Sequence, residues 1–227
     1  MSTLGVITIG QAPRRDMVPE MRTWLPVDRL VERGALDGLD REAIALLAPT
    51  DGDESLTTLL VDGSWVVVGR AGLLDPIQAH IDDLERLGVD VTLVVCTGEF
   101  PPFRHTKPLL MAERLLAMGV AAVVSDVSVG IICPLPEQEE DSRTKFADHL
   151  PGVGVAVASA TPYADGTGGI EDAARRLAEG GAHVLVLDCM GYSQQHRKAA
   201  SKASGLPVIL ARSVVARLAA ELTEGGQ

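Results

Sequence analysis

The chain has 227 residues, with 20 Lys+Arg against 31 Asp+Glu and a net charge of −11 with His neutral. That acidity argues against a nucleic-acid or anionic-membrane partner, since both need a basic face. Apolar residues make up 46 % and aromatics only 3 %, so a full core can form from Val, Leu, Ile and Ala, the palette of parallel sheets buried on both faces.

The length suits one large domain or two small ones. Cys96, Cys133 and Cys189 are widely spaced and make no CxxC pair or zinc pattern. The N-terminus lacks a basic stretch followed by a long apolar core. No apolar run reaches the roughly 18 residues of a membrane span. The expectation is a soluble cytoplasmic protein with reduced thiols.

Leu4 to Ile9 is a short apolar run ended by Gly10, a buried strand. Gln11 to Asp16 is a loop, and a helix is expected near Pro19 to Trp24. Leu56 to Val61 and Trp65 to Val68 flank Asp62-Gly63, which reads as a β-hairpin because Asp-Gly supplies the positive φ of a tight turn. Asp75-Pro76 starts a helix that runs to Leu87 and stops at Gly88. Val91 to Val95 is a strand leading into Cys96. Lys107 to Met118 has helical spacing, and Val120 to Val124 fits a strand or a helix equally well by periodicity.

Val129 to Cys133 is a strand ended by Pro134, and Glu137 to His149 is a charged helix whose acidic start suits the helix dipole. Val153 to Ala158 is a strand and Gly169 to Glu179 a helix opened by the Gly166-Thr167-Gly168 loop. Val184 to Asp188 is a strand ending at Cys189. A helix from Ser193 to Ala203, a strand at Pro207 to Leu210 and a helix from Ser213, as its cap, to Leu222 close the chain. This alternation predicts an α/β fold of doubly wound parallel sheet.

The chain echoes itself. Gly88 to Gly98 lies over Gly181 to Gly191 at an offset of 93 residues, with Gly, Val, Cys and Gly matched in place. A weaker echo sets Val6 to Pro13 beside Val155 to Pro162, making Thr161-Pro162-Tyr163 the counterpart of the first loop. Two similar lobes facing across a cleft would explain both.

Cys96 and Cys189 each end a buried strand ahead of a glycine, and ligands of open α/β sheets bind outside those carboxyl ends. Two thiols from opposite lobes can invert a stereocentre without a cofactor or metal, one removing a proton as thiolate and the other delivering one. The plainer reading is two buried small hydrophobes, the usual state of free cysteine; it is the expected one for Cys133. Asp188 either repels charge on Cys189 or meets a ligand hydroxyl or ammonium. Arg14, more than Arg15, is placed to grip a carboxylate by two parallel hydrogen bonds. Gln11, Thr97, Gly98, Thr161, Gly191, Tyr192 and His196 complete the candidate binding residues. His196 is either a general base or a helix-face residue.

At these residues the chain resembles the AroM family. The likeness is carried by Ile7 to Arg14, Leu187 to Tyr192 with His196-Arg197, the Leu56 to Val68 hairpin and Ala216 to Leu222. AroM proteins are in turn similar to the aspartate/glutamate/hydantoin racemase superfamily. The resemblance implies two pseudo-symmetric flavodoxin-like lobes with parallel sheets, one catalytic cysteine position per lobe, and a β-hairpin inserted in the first lobe. Residues 1–115 with 208–227, through a returning C-terminal helix, would form the first lobe, and 116–207 the second. It favours helix for Val120 to Ser125. The second cysteine of such racemases is commonly followed by Thr-His, whereas Met190-Gly191 follow Cys189.

The expected function is a cofactor-independent, Cys-dependent isomerase or racemase acting on a small carboxylate. The alternatives are a non-catalytic carboxylate-binding or regulatory protein, and a lyase or hydrolase with Cys189 as nucleophile and His196 as base. A small carboxylate is the expected partner. No nucleic acid, membrane, metal or cofactor is expected, and a homo-oligomer is left open.

Overall fold

The structure is a computed structural model that describes residues 2–124 and 126–223. Two compact units emerge, one from residues up to Glu113 together with those from Ala216 onward, the other Arg114–Val215.

In the first unit, β1 (Thr3–Thr8), β2 (Arg29–Gly34), β5 (Val91–Val94) and β6 (Leu109–Met111) form a parallel sheet in the order β2-β1-β5-β6. Central β1 is bonded on both sides, which is why it is buried from Leu4 on and apolar as far as Ile7. Helix α3 (Leu74–Arg86) covers the sheet through Ile77, Ile81 and Leu84, all fully buried. Their i, i+4, i+7 spacing makes one apolar stripe. Between β2 and α3 lie the short α2 (Arg41–Ala45) and the antiparallel hairpin β3 (Ser55–Leu59) and β4 (Trp65–Gly69). The hairpin turns at Asp62-Gly63, where Gly63 has φ 84°, as the Asp-Gly signal requires.

In the second unit, β7 (Val129–Cys133), β8 (Val155–Ser159), β9 (Val184–Leu187) and β10 (Val208–Leu210) form a parallel sheet in the order β10-β9-β7-β8. Its helices are α5 (Glu139–His149), α6 (Gly168–Glu179) and α7 (Gln194–Ser204). Numbered within each unit, both sheets have the flavodoxin-like order 2-1-3-4. Helices α4 (Ala112–Val123) and α8 (Ala211–Ala220) start directly from β6 and β10.

The 93-residue echo is repeated in the hydrogen bonds. Helix α3 ends with Gly88 N–H donating to Glu85 and Val89 N–H to Leu84; α6 ends with Gly181 N–H donating to Ala178 and Ala182 N–H to Leu177. Gly88 and Gly181 sit at φ 82° and 89°, the left-handed stop that glycine alone adopts cheaply. The first strands also correspond. Gly5 lies under Leu84 and Gly130 under Leu177, where a Cβ would stand 2.7 Å and 3.0 Å from those side chains.

Several expectations are corrected. The weaker echo fails, because β1 corresponds to β7 and not to β8: Ala35 N–H donates to Thr8 as Ala160 N–H donates to Cys133, both at 2.9 Å. The counterpart of the loop after β1 is therefore Pro134-Leu135, and Thr161 follows the edge strand β8. Leu109–Met111 is a strand inside the stretch read as helix; it pairs with β5 after Pro108, and tertiary pairing overrides local spacing there. Val120 lies within α4, so the helical alternative holds as far as Val123, while Ser125 is outside the described residues. Strand β2 was hidden by its charged edge residues. The helix near Pro19 is only α1 (Val18–Met21). Ser213 lies inside α8, its hydroxyl donating to Leu210 O, so it is not the cap. Strand β10 pairs with β9, which puts 208–215 in the second unit.

Candidate active site

The switch point of a 2-1-3-4 sheet lies between its first and third strands, where successive crossovers leave in opposite directions and the carboxyl ends open a crevice. In the first unit that edge carries the loops after β1 and β5, with Arg14 and Cys96. In the second it carries the loops after β7 and β9, with Cys133 and Cys189. All three cysteines are buried and none is in a disulfide. Cys96 and Cys189 occupy corresponding positions, and their local geometry agrees. Gly98 N–H donates to Cys96 Sγ at 3.4 Å, and Gly191 N–H donates to Cys189 Sγ at 3.3 Å. A donor aimed at sulfur interacts more strongly with a thiolate than with a thiol.

Arg14, in the loop after β1, is buried. Its Nε and Nη2 donate to the two carboxylate oxygens of Asp16, each at 2.8 Å, and Nη1 donates to Thr8 Oγ1 at 2.8 Å and Thr58 Oγ1 at 3.3 Å. The bidentate fork expected for a ligand carboxylate is engaged by the chain's own carboxylate, two residues away, which has the same planar geometry. Thr97, beside Cys96, is buried. Gln11 spans three backbone groups: its amide donates to Leu36 O and Leu39 O and accepts from Val61 N–H. It ties the β1 loop to the segment after β2 and to the hairpin. A groove of about 430 Å³, lined by residues including Arg70, Glu99 and Phe100, adjoins the segment after Gly98, and Cys96 does not line it.

In the second unit Asp188 Oδ2 and Oδ1 lie 2.6 and 2.9 Å from Lys145 Nζ, and Ser142 Oγ donates to Oδ2 at 3.3 Å. Asp188 does meet an ammonium, that of its own chain. Met190 O and Gly191 O accept from the buried Arg212 guanidinium, which fixes the turn after Cys189. At Gly191 a Cβ would stand 2.7 Å from the Tyr163 hydroxyl and 3.0 Å from the Pro162 ring, so any larger residue requires those side chains to shift. Tyr192 is fully buried and its hydroxyl donates to Ala160 O at 2.6 Å; burial pushes its ionisation well above the usual phenol range. Thr161 Oγ1 accepts from Tyr163 N–H.

His196 Nδ1 accepts Ser193 N–H at 3.1 Å and completes a capping box at the start of α7. Its ring meets Tyr192 edge-on, with centroids 5.9 Å apart. Cys133 Sγ donates to Leu135 O, and burial, then the charges of Asp188 and Glu139, push its thiol up to about 12. It is a packed thiol. Among the described residues no group of His, Cys, Asp and Glu is arranged to hold a metal ion, and no helix is long and apolar enough to cross a membrane.

The family model described as "AroM protein" matches residues 4–223. The chain belongs to the AroM family. Its fold is shared with solved structures of low identity. Unliganded arylmalonate decarboxylase is 14 % identical with a TM-score of 0.63, the match covering 100 % of this chain and 94 % of that one. Allantoin racemase from Klebsiella pneumoniae is 18 % identical at 0.61, covering 99 % and 88 %. A glutamate racemase isoform from Bacillus anthracis is 13 % identical at 0.63, covering 99 % and 83 %. Comparison with curated protein sequences finds no match. The AroM chain thus has the two-lobed α/β architecture of the racemase fold.

Four residues that hold Arg14, Asp188 and the turn after Cys189 of this AroM chain carry little signal in the sequence: Thr8, Thr58, Lys145 and Arg212. Thr8 and Thr58 look like ordinary strand residues, and Arg212 stands near the chain end. Lys145 sat within a helix read as charged, although Lys145-Phe146 beside Ser142 puts three buried residues on that helix. A lysine next to an apolar aromatic in a polar helix was the available signal.

Proposed function

We propose that this AroM-family protein is a cofactor-independent racemase or isomerase of a small carboxylate, with Cys96 and Cys189 as its acid–base pair. The observation that carries the reading is the equivalence of the two thiols: each follows the third strand of a 2-1-3-4 sheet and accepts the N–H of the glycine two residues on. The racemases and the decarboxylase that share the fold support it. In this mechanism one thiolate removes the proton from the carbon beside the carboxylate, and the other thiol delivers a proton to the opposite face. The two sulfurs exchange protonation states with each inversion. The Thr97 hydroxyl and the N–H groups of the turns after each cysteine hold the carboxylate and its enediolate-like transition state. Arg14, held by Asp16, Thr8 and Thr58, keeps the first loop rigid.

The nucleophile-plus-histidine alternative is disfavoured by the His196 capping bond. With Nδ1 accepting, the neutral ring carries its proton on Nε2 and has no second basic nitrogen to offer.

A thermal-shift screen of small carboxylates and amino acids identifies ligands of the native state. Each ligand is then incubated in deuterated water and its α-proton signal followed. Enzyme-dependent loss of that signal is expected. Ligands that bind without exchange or turnover would replace this reading with a carboxylate-binding protein.

A further inference from the structure

We infer that Lys145 is a positioning residue for Cys189: its buried ammonium neutralises Asp188, the carboxylate immediately preceding the thiol, and so lets Cys189 carry negative charge. The functional meaning rests on Cys189 being a reacting thiol. The electrostatic content stands on geometry alone. The Lys145 and Asp188 side chains are 5 % and 2 % exposed, so water screens neither charge, and a carboxylate that deep without a partner would oppose any anion beside it. Ser142 and Lys145 stand one turn apart on α5 and reach the same carboxylate.

Asp188 stands close enough to act on other groups of this unit: after burial, it is among the charges that raise Cys133 and Tyr192. Other charged and titratable groups stand around the same loop. Glu139 of α5 acts on Cys133. Tyr163 and Tyr192 are phenols, the latter bonded to Ala160 O. His196 of α7 is held by Ser193 N–H. Arg212 of α8 donates to Met190 O and Gly191 O. Lys145 bonds the Asp188 carboxylate directly, at 2.6 and 2.9 Å. The first unit supplies a control, because the residue before Cys96 is the buried, uncharged Val95.

The test labels the cysteine Cβ carbons of the full chain with carbon-13 and follows the three signals against pH. Lys145→Met is expected to raise the Cys189 titration midpoint by about one pH unit, the usual effect of an uncompensated neighbouring charge. Asp188→Asn, which leaves the ammonium, is expected to lower it by a similar amount. The double variant returns near the wild-type value, and Cys96 stays unmoved in all three. Shifts of the same sign in the two single variants, or no shift, would reduce the pair to packing and overturn the inference. Should Lys145→Met not fold, the direction of the Asp188→Asn shift decides. No substrate enters the titration, so failure of the racemase reading in the exchange assay leaves its outcome distinct.

Discussion

Val95 and Asp188 occupy the same place in the two sheets. Val95 N–H donates to Ile7 O at 2.8 Å and Asp188 N–H donates to Ile132 O at 2.9 Å, each extending its third strand against the first by one residue. The next residue in each case is a cysteine. One thiol therefore follows an uncharged side chain and the other a buried ion pair, so two positions alike in backbone are unlike in electrostatics. Equal roles in proton transfer need not mean equal thiols.

The first prediction concerns the chemistry. Cys96→Ser and Cys189→Ser should each abolish inversion of the substrate found by screening, with a loss of at least about a hundredfold, the low end of a general acid–base contribution. Each single variant should still exchange the α-hydrogen of one enantiomer in deuterated water, because one face keeps its base. Circular dichroism follows inversion and proton NMR follows exchange. Dependence on Cys189 alone would instead indicate a one-base reaction.

A second prediction separates a structural from a ligand-gripping role for Arg14. Its guanidinium satisfies Asp16, Thr8 and Thr58, so Arg14→Ala should cost about 2 kcal/mol in urea unfolding by leaving buried acceptors without their donor. Arg14→Lys should recover little of that, because an ammonium cannot make the paired contact with Asp16. Unchanged stability with a large loss of ligand affinity would return Arg14 to the ligand.

Alkaline pH should destabilise the fold through Cys133. Its thiol is raised from 9.0 to about 12 in the folded state, mainly by burial. Above the lower value the unfolded chain has lost a proton that the folded chain still holds. Unfolding then releases a proton, and stability falls with pH by about 1.4 kcal/mol per unit from this group until the upper value is reached. Tyr192, raised from 10.0 by burial, adds the same sign at higher pH. Urea titrations at about pH 8 and pH 10 should show a smaller fall for Cys133→Ala than for wild type.

The paired strand glycines should respond unequally to alanine. At Gly5 the three atoms nearest the new Cβ all belong to the Leu84 side chain, the first a terminal methyl at 2.7 Å that can swing aside. At Gly130 it meets the Leu185 methyl at 2.7 Å, and the Leu177 and Ala182 Cβ atoms at 3.0 and 3.2 Å. Cβ atoms move only with their backbone, so Gly130→Ala should cost about 1–3 kcal/mol as overpacking. Gly5→Ala should cost less. Thermal denaturation of the two variants measures the difference.

Much of this protein is legible in its sequence because the determining signals are local. Buried parallel strands demand continuous apolar runs, so Leu4 to Ile9, Val91 to Val95, Val129 to Cys133 and Val184 to Leu187 announce themselves. Glycine stops such as Gly88 and Gly181 work through a backbone angle that no neighbour has to supply, and they carry the 93-residue echo that brings Cys96 and Cys189 into correspondence. Asp62-Gly63 specifies its hairpin by the same local rule.

What only the tertiary structure decided are the pairings between distant segments. Strand status at Leu109–Met111 comes from the ladder offered by β5, against its own helical spacing. The match of β1 with β7 depends on strand order, which identity between short loops cannot report. The partners of charged groups were also invisible: Asp16 takes the Arg14 fork, and Lys145 reaches Asp188 across 43 residues of chain. A charge near a strand end reads as available for a ligand until the fold brings its own counter-ion to it, and in the Lys145–Asp188 pair burial then holds the two together, because parting them would leave each without water or a partner.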